Sequence, residues 1–157
     1  MGDISVHHAT IFDLDALVPL FDQYRQFHGC GADARAAREF LRQRLNHGES
    51  ILFLAWKNSQ PIGFAQLYPT FSSISLARTF VMNDLFVLEK FRRCGAALRL
   101  MTAAVDYASA LHAEKISLAI DHTNVSAQSL YGSTGWELDD QSKTYYFQVP
   151  ELLEMAA

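Results

Sequence analysis

Apolar residues recur along this chain with two periods, and the switching between them lays out the elements. Residues 4–9 predict a short first strand. Leu17, Leu20, Phe21, Tyr24 and Phe27 follow at helical spacing behind Asp13, a residue suited to cap a helix. Pro19 lies inside that pattern, so the helix either kinks there or becomes regular later. Residues 29–32 break it, and Phe40, Leu41 and Leu45 form the stripe of a second helix that Gly48 stops. Residues 51–56 are apolar on both faces, the mark of a central strand. The turn Asn58-Ser59-Gln60-Pro61 leads into residues 62–68, and the pair predicts a hairpin.

Residues 70–77 are rich in Ser and predict a loop, followed by a strand over residues 80–88. From residue 95 to 113 the polar positions Arg99, Thr102, Asp106 and Ser109 share one narrow stripe. The rest of that helix is apolar, so most of its circumference must be covered. Ile116, Leu118 and Ile120 alternate with small residues in a strand ending at Asp121. Residues 124–134 predict a short helix stopped by Gly135, and residues 136–138 with 143–149 predict a closing hairpin. The order β-α-α-β-β-β-α-β-α-β-β mixes elements without strict alternation. That pattern makes the chain α/β with a mixed, α+β type sheet and excludes a wholly parallel doubly wound one. No repeat or linker interrupts it, and 157 residues suit a single domain spanning 1–157.

Composition removes several classes of function. A net charge of −4 without a basic block argues against nucleic acid as a partner. No apolar run approaches the ~20 residues that span a bilayer, so no membrane is expected. The N-terminus carries no secretory pattern, and Cys30 and Cys94 suit reduced thiols, so the expected location is cytoplasmic. His7 and His8 point to opposite faces of a strand and no His-x-x-x-His pair occurs, so no metal site is expected.

The candidate chemistry starts at LFVLEKFRRCGAAL, residues 85–98. An apolar strand ends in a short basic turn, Arg92-Arg93-Cys94-Gly95-Ala96-Ala97, which opens a long helix. Small residues there leave backbone N–H groups free at a helix N-terminus beside two guanidinium groups, a setting for a diphosphate. Asp84 stands on that same strand, in the apolar run 80–88. In a regular strand it would share a face with Phe80, Met82, Phe86 and Leu88, so loop backbone must satisfy it or a bulge must re-aim it. Its two readings are a structural hydrogen-bond acceptor and a carboxylate that takes a proton from an incoming ammonium. Tyr131 has two readings as well, a core aromatic or a proton donor, and Asn124 is either a helix cap or a ligand contact.

Val87-x-x-x-x-Arg92-x-x-Gly95-x-Ala97 resembles the acetyl-coenzyme A signature of the GCN5-related N-acetyltransferases. Asn124-x-x-Ala127-x-x-Leu130-Tyr131-x-x-x-Gly135-Trp136 resembles that family's second signature, and the resemblance covers residues 4–149. It implies the acyl-coenzyme A N-acyltransferase fold and an enzyme moving acetyl from acetyl-coenzyme A to a primary amine, by direct attack in a ternary complex. A β-bulge at Asp84 would leave the amides of Leu85, Phe86 and Val87 for the acetyl carbonyl and pantetheine. The turn Arg92, Arg93, Cys94, Gly95, Ala96, Ala97 and Leu98 would hold the diphosphate, with Asn124, Ala127 and Tyr131 completing the cofactor contacts. Tyr131 would protonate the departing thiolate. The chain is also similar to polyamine acetyltransferases along this strand, but those carry Glu-Asp where Asn83-Asp84 stands here. Their general base therefore maps to Asn83, which can orient water or substrate nitrogen while Asp84 supplies the charge.

Tyr24 is the expected acceptor contact, and the expected acceptor is a small-molecule amine. The competing readings are a protein or histone lysine acetyltransferase and a coenzyme A-binding regulatory module without catalysis; a donor longer than acetyl also stays open. Tyr145, Tyr146 and Phe147 on a terminal strand would be an aggregation-prone edge, so a homodimer is expected to cover them.

Overall fold

Residues 51–55, apolar on both faces, are all buried in the middle of a five-stranded sheet. In this computed structural model, which describes residues 3–151, the chain divides into two compact units, Met1–Ala119 and Ile120–Ala157. The first runs β1 (Ile4–His8), α1 (Leu14–Phe27), α2 (Ala34–Asn46), β2 (Ile51–Lys57), β3 (Gln60–Ser72), β4 (Ala77–Val87), α3 (Ala96–Ala110) and β5 (Lys115–Ser117). Strand order follows chain order; β1 to β4 are antiparallel neighbours and β5 joins β4 in parallel. This is the mixed sheet that the element order predicted.

Helices cover both faces. Phe64 of β3 meets Phe21 and Tyr24 of α1 edge-on, with ring centroids 6.0 and 5.7 Å apart. On the other face Phe53 and Phe80 meet Tyr107 of α3 at 5.8 and 5.9 Å. The α1 side holds an apolar cluster built on Leu17, Leu20, Leu41, Leu52, Leu54 and Phe64. Gly63 is required by close approach: a Cβ there would stand 2.6 Å from the Phe86 carbonyl oxygen across the β3–β4 pair.

Several boundaries differ from the sequence expectation. The cap ahead of α1 is Thr10, whose hydroxyl accepts from Phe12 N–H, while Asp13 returns the bond by accepting from Thr10 N–H at 2.8 Å. A short 3-10 turn, Ile11–Asp13, then leads into a helix that continues through Pro19. The β2–β3 hairpin closes on Asn58 and Ser59 alone, both at positive φ (50° and 64°), which fits a two-residue primed turn. Half of the Ser-rich stretch is strand: residues 70–72 end β3 and residue 77 starts β4, with residues 73–76 as the turn between them. Thr70 pairs with Thr79, Phe71 with Arg78 and Ser72 with Ala77, and the Arg78 guanidinium lies 5.0 Å over the Phe71 ring.

β5 is shorter than predicted and stops at Ser117 rather than Asp121, its last pair being with Val81. Two residues beyond Val81 the partner strand bulges, and a parallel ladder cannot follow across that break.

The second unit contains α4 (Val125–Ser133), which ends before Gly135 as predicted. The closing hairpin is the correction here: neither 136–138 nor 143–149 forms a strand in the structure. Alternating apolar residues supply propensity only, whereas a strand exists through its ladder partner. Tyr145, Tyr146 and Phe147 are instead 89%, 90% and 85% exposed. Among the described residues no helix is long and apolar enough to cross a membrane.

Candidate active site

Gln66 of β3 pairs with Asp84 of β4, but the next residue, Leu67, pairs with Met82. Asn83 is therefore one residue too many on β4, a bulge, and it reverses the phase of the strand. Phe80 lies on the α3 face, against Tyr107; Phe86 lies on the α1 face, 6.0 Å from Tyr24 and 6.4 Å from Phe64. In an unbroken strand Phe80 and Phe86 would point the same way. The bulge thus moves Asp84 off the face of Phe80 and Met82 and turns it toward α1.

There it is 3% exposed and held from two sides. Gln66 Nε2 donates to Asp84 Oδ2 at 2.5 Å and Asn83 Nδ2 donates to Oδ1 at 2.7 Å. Gln66 is itself fully buried, and its own Oε1 has no partner among the described residues. Two phenols border the carboxylate. Burial pushes the Tyr24 hydroxyl well above its usual titration range, with the Asp84 charge as the second cause. Burial and then the same charge push Tyr68 up to about 12. Both remain protonated donors at neutral pH, and Tyr24 donates to the Asn83 carbonyl at 3.4 Å.

These groups open onto a cleft of about 490 Å³ between α1, α2 and the bulged β3–β4 pair. Phe21, Tyr24, Phe40 and Tyr68 wall it; Arg25, His28 and Cys30 also line it, with Asn83 and Asp84 at the bulge. Phe21 and Phe40 stack at 5.8 Å, which braces α1 against α2. Asp22 fixes the connection between those helices by accepting from Asp33 N–H at 2.9 Å. A buried carboxylate in an aromatic cleft is suited to hold a cation and to take a proton from it. Tyr24, Asn83 and Asp84, all expected at the site from sequence, come together here. Gln66 joins them unexpectedly, its signal a lone amide in the apolar run IGFAQLY, and Arg25 and His28 likewise carried no expected role.

A second feature lies past the end of β4. The edge of β4 from residue 82 to 87 extends beyond its last pair with β5, so Leu85, Phe86 and Val87 have a strand neighbour on one side only. A 3-10 turn, Glu89–Phe91, follows, and Gly95 at φ 88° starts α3 with no side chain capping it. Only glycine adopts that φ without strain. Ala96, Ala97 and Leu98 form the open first turn, and a helix start of this kind attracts anions. The two arginines differ. Arg92 is tied inward: its Nε donates to the Val87 carbonyl at 3.0 Å and its guanidinium covers Phe27 and Phe86. Arg93 is exposed on a left-handed residue (φ 59°). The Cys94 thiol donates to the Phe91 carbonyl at 2.5 Å, which leaves its backbone amide as its contribution to the turn.

In the second unit Asn124 is the cap of α4, its Oδ1 accepting from Ala127 N–H at 3.1 Å. Between its two readings the cap is the one the structure shows, and it occupies the Ala127 amide. Tyr131 is partly buried with its ring 5.8 Å from Trp136, and burial raises its pKa. Among the described residues no group of three or more His, Cys, Asp or Glu side chains is placed to hold a metal ion.

Comparison with known proteins gives this geometry a family. Residues 16–136 match the model of the acetyltransferase (GNAT) family. The uncharacterized N-acetyltransferase YhfO of Bacillus subtilis is 42% identical over 147 residues, which is 94% of this chain and 99% of that protein. The crystal structure of a probable acetyltransferase superposes with a TM-score of 0.88 at 36% identity, covering 94% of this chain and 99% of the other. An aminoglycoside N-acetyltransferase in complex with coenzyme A shares the fold, at TM-score 0.78, 18% identity and coverage of 95% and 97%. The chain belongs to the acetyltransferase (GNAT) family and is an acyltransferase enzyme.

Proposed function

We propose that this acetyltransferase moves acetyl from acetyl-coenzyme A to the primary amine of a small molecule, by direct attack while both are bound. The observation that carries the reading is the bulge at Asn83, which sets an ionisable, amide-held Asp84 at an aromatic cleft of ligand size. Bound acetyl-coenzyme A supplies an activated thioester. Asp84 attracts the acceptor's ammonium and takes its proton, directly or through water, which frees the nitrogen lone pair. Asn83 orients both the carboxylate and the nitrogen. Tyr24 and Tyr68, kept protonated, serve as donors and cation-facing walls rather than bases.

The donor side rests on the free edge of β4 and the turn behind it. We assign the backbone of Leu85, Phe86 and Val87 to the acetyl carbonyl and pantetheine, where an N–H facing the carbonyl would stabilise the oxyanion of attack. Residues 93–98 are assigned to the diphosphate, with Arg93 as the mobile cation and Arg92 as the anchor of the turn. Tyr131 is assigned the proton for the leaving thiolate, on the strength of the second signature and its raised pKa. An aromatic cleft of ligand size supports a small acceptor. The family match crosses both compact units, which supports one catalytic domain, and exposed Tyr145, Tyr146 and Phe147 support a homodimer. A cytoplasmic location accords with an acetyl-coenzyme A donor.

The test is coenzyme A release over a panel of small amines, with Tyr131→Phe beside the native chain. Turnover of at least one amine is expected, with kcat lowered ~10²–10⁴-fold in the variant. Binding of acetyl-coenzyme A, seen as a higher Tm, without release on any amine would leave the non-catalytic module standing instead.

A further inference from the structure

The acceptor cleft contains a charge for which the reading above has no task. Arg25 follows Tyr24 on α1 and lines the same cleft as Asp84. It is half-buried, yet among the described residues its guanidinium makes no ion pair, hydrogen bond or ring contact. Six other arginines of the first unit are engaged, and Arg35 and Arg93 are exposed to solvent rather than set in a cleft. Arg38 is paired with Asp15, Arg42 with Glu39 and Arg44 with Glu49; Arg92 and Arg99 donate to backbone carbonyls, and Arg78 covers Phe71. A guanidinium held beside a cleft without a partner is a donor fork with two parallel N–H groups on offer, the geometry that carboxylates fill.

The balance of charge around the cleft points the same way. Among its described lining residues Asp84 is the one carboxylate, and Arg25 opposes it with the other sign. An acceptor bearing several ammonium groups would find one counter-charge and one repulsion. Phe21, Phe40, Tyr24 and Tyr68 offer apolar ring surface, with Ala36 and Ala37 beside them and His28, Cys30 and Asn83 as the other polar lining.

We infer that the acceptor is a small zwitterion with an apolar side chain, an amino acid in chemical class, its amine at Asp84 and its carboxylate on Arg25. This rests on the reading of the chain as a small-amine acetyltransferase. The ammonium gives one proton to Asp84, the freed nitrogen bonds the acetyl carbon as the C–S bond breaks, and the second N–H proton replaces the one Tyr131 gives to the thiolate, leaving a neutral amide and the coenzyme A thiol. The carboxylate undergoes no change and serves only to orient the acceptor.

The experiment compares kcat/KM for L-phenylalanine, L-phenylalaninamide, phenethylamine, spermidine and kanamycin, in the native chain and in Arg25→Gln and Arg25→Lys. L-Phenylalanine is expected to exceed its amide and phenethylamine by roughly 10–100-fold, mainly through KM, with the polycations below all three. Arg25→Gln is expected to bring acid and amide within about threefold of each other, and Arg25→Lys to retain part of the gap because it keeps the charge and loses the fork. Equal use of acid and amide by the native chain, a preference for spermidine or kanamycin, or an undiminished gap in Arg25→Gln would overturn the inference while the amine-acceptor reading stands. No release on any of the five amines, from protein whose Tm rises with acetyl-coenzyme A, would remove both.

Discussion

The two ends of β4 are one strand put to opposite uses. Before the bulge, Phe80 and Met82 are buried on the face that α3 covers, and both are apolar. After it, Asp84 and Phe86 are buried on the face that α1 covers, and one of them is a carboxylate. Burial is nearly equal at Met82 (4%) and Asp84 (3%), so exposure does not explain why one position takes a charge. Partners do: Asp84 has two amide donors and two phenols around it, supplied by the strand phase that the extra residue sets. The difference teaches that a site can be cut into a core strand by a shift of one residue, with no loop involved.

The largest expected effect breaks the comparison at its apolar end. Met82→Asp places a second carboxylate two residues from the native one, on the α3 face where Phe80 meets an aromatic wall. Without donors its burial should cost about 3–5 kcal/mol, or the chain must open to hydrate it. A drop in Tm of roughly 6–20 °C is expected for a chain of this size. If the variant melted like the native chain, the face before the bulge would be able to satisfy a charge, and the contrast would fail.

At the polar end, Asp84→Asn keeps shape and removes charge. Coenzyme A release should fall ~10²–10⁴-fold while Tm changes little, because a half-turn of the Gln66 amide presents its unpartnered Oε1 to the new Asn N–H while Asn83 still donates to the oxygen. A variant retaining a third of native turnover would show that Asp84 is an acceptor for Gln66 and Asn83 and nothing more.

How much of this contrast was legible beforehand can be judged from the same strand. Hydrophobic period located β4, and the apolar surroundings of Asp84 flagged that it needed either partners or a bulge. The resemblance placed the bulge; the period by itself did not, because a one-residue insertion is invisible without the register of the partner strand. Gln66 went unnoticed for that reason: it matters through its pairing with Asp84 across β3 and β4, a contact eighteen positions apart in sequence. The Ser-rich 70–77 stretch is a turn at residues 73–76, as Ser and Thr favour locally, while at its ends the ladder from Thr70 to Ser72 overrides that preference. The closing hairpin failed for the opposite reason, since propensity was present and no ladder was. In the turn at 92–98, small residues and Gly95 were readable, but the inward fold of Arg92 onto Val87 was not.

Gln66→Leu sharpens the comparison with a smaller effect. The fully buried amide has one satisfied donor and one orphaned oxygen, so Leu relieves the oxygen but leaves the buried Asp84 Oδ2 without its donor, and Tm should fall by a few degrees. Asp84 would then lose the donor at 2.5 Å and some of its aim, and kcat should fall by about tenfold. A fall in Tm with kcat spared would leave Gln66 a structural role alone.

The smallest expected effect is a slope in alkaline stability, and it tests whether the phenols sit beside the carboxylate. Tyr24 and Tyr68 hold their protons more tightly when folded, first through burial and then through the Asp84 charge. In the unfolded chain a phenol ionises near 10, so above that pH the unfolded state binds fewer protons than the folded one. Stability therefore falls as pH rises from about 10 toward the folded value of about 12 for Tyr68, and these groups contribute no slope below that window. Tyr131, raised by burial, adds to the slope with the same sign. Melting curves collected across that window should show Tm declining by a few degrees, and Tyr68→Phe should flatten the decline. Asp84→Asn should flatten it too, because it removes the charge that opposes ionisation of both phenols, whereas a conservative change before the bulge, Met82→Leu, should leave it intact. If Met82→Leu and Asp84→Asn altered the slope equally, the two ends of β4 would not differ electrically, and the phase shift at Asn83 would be a matter of packing.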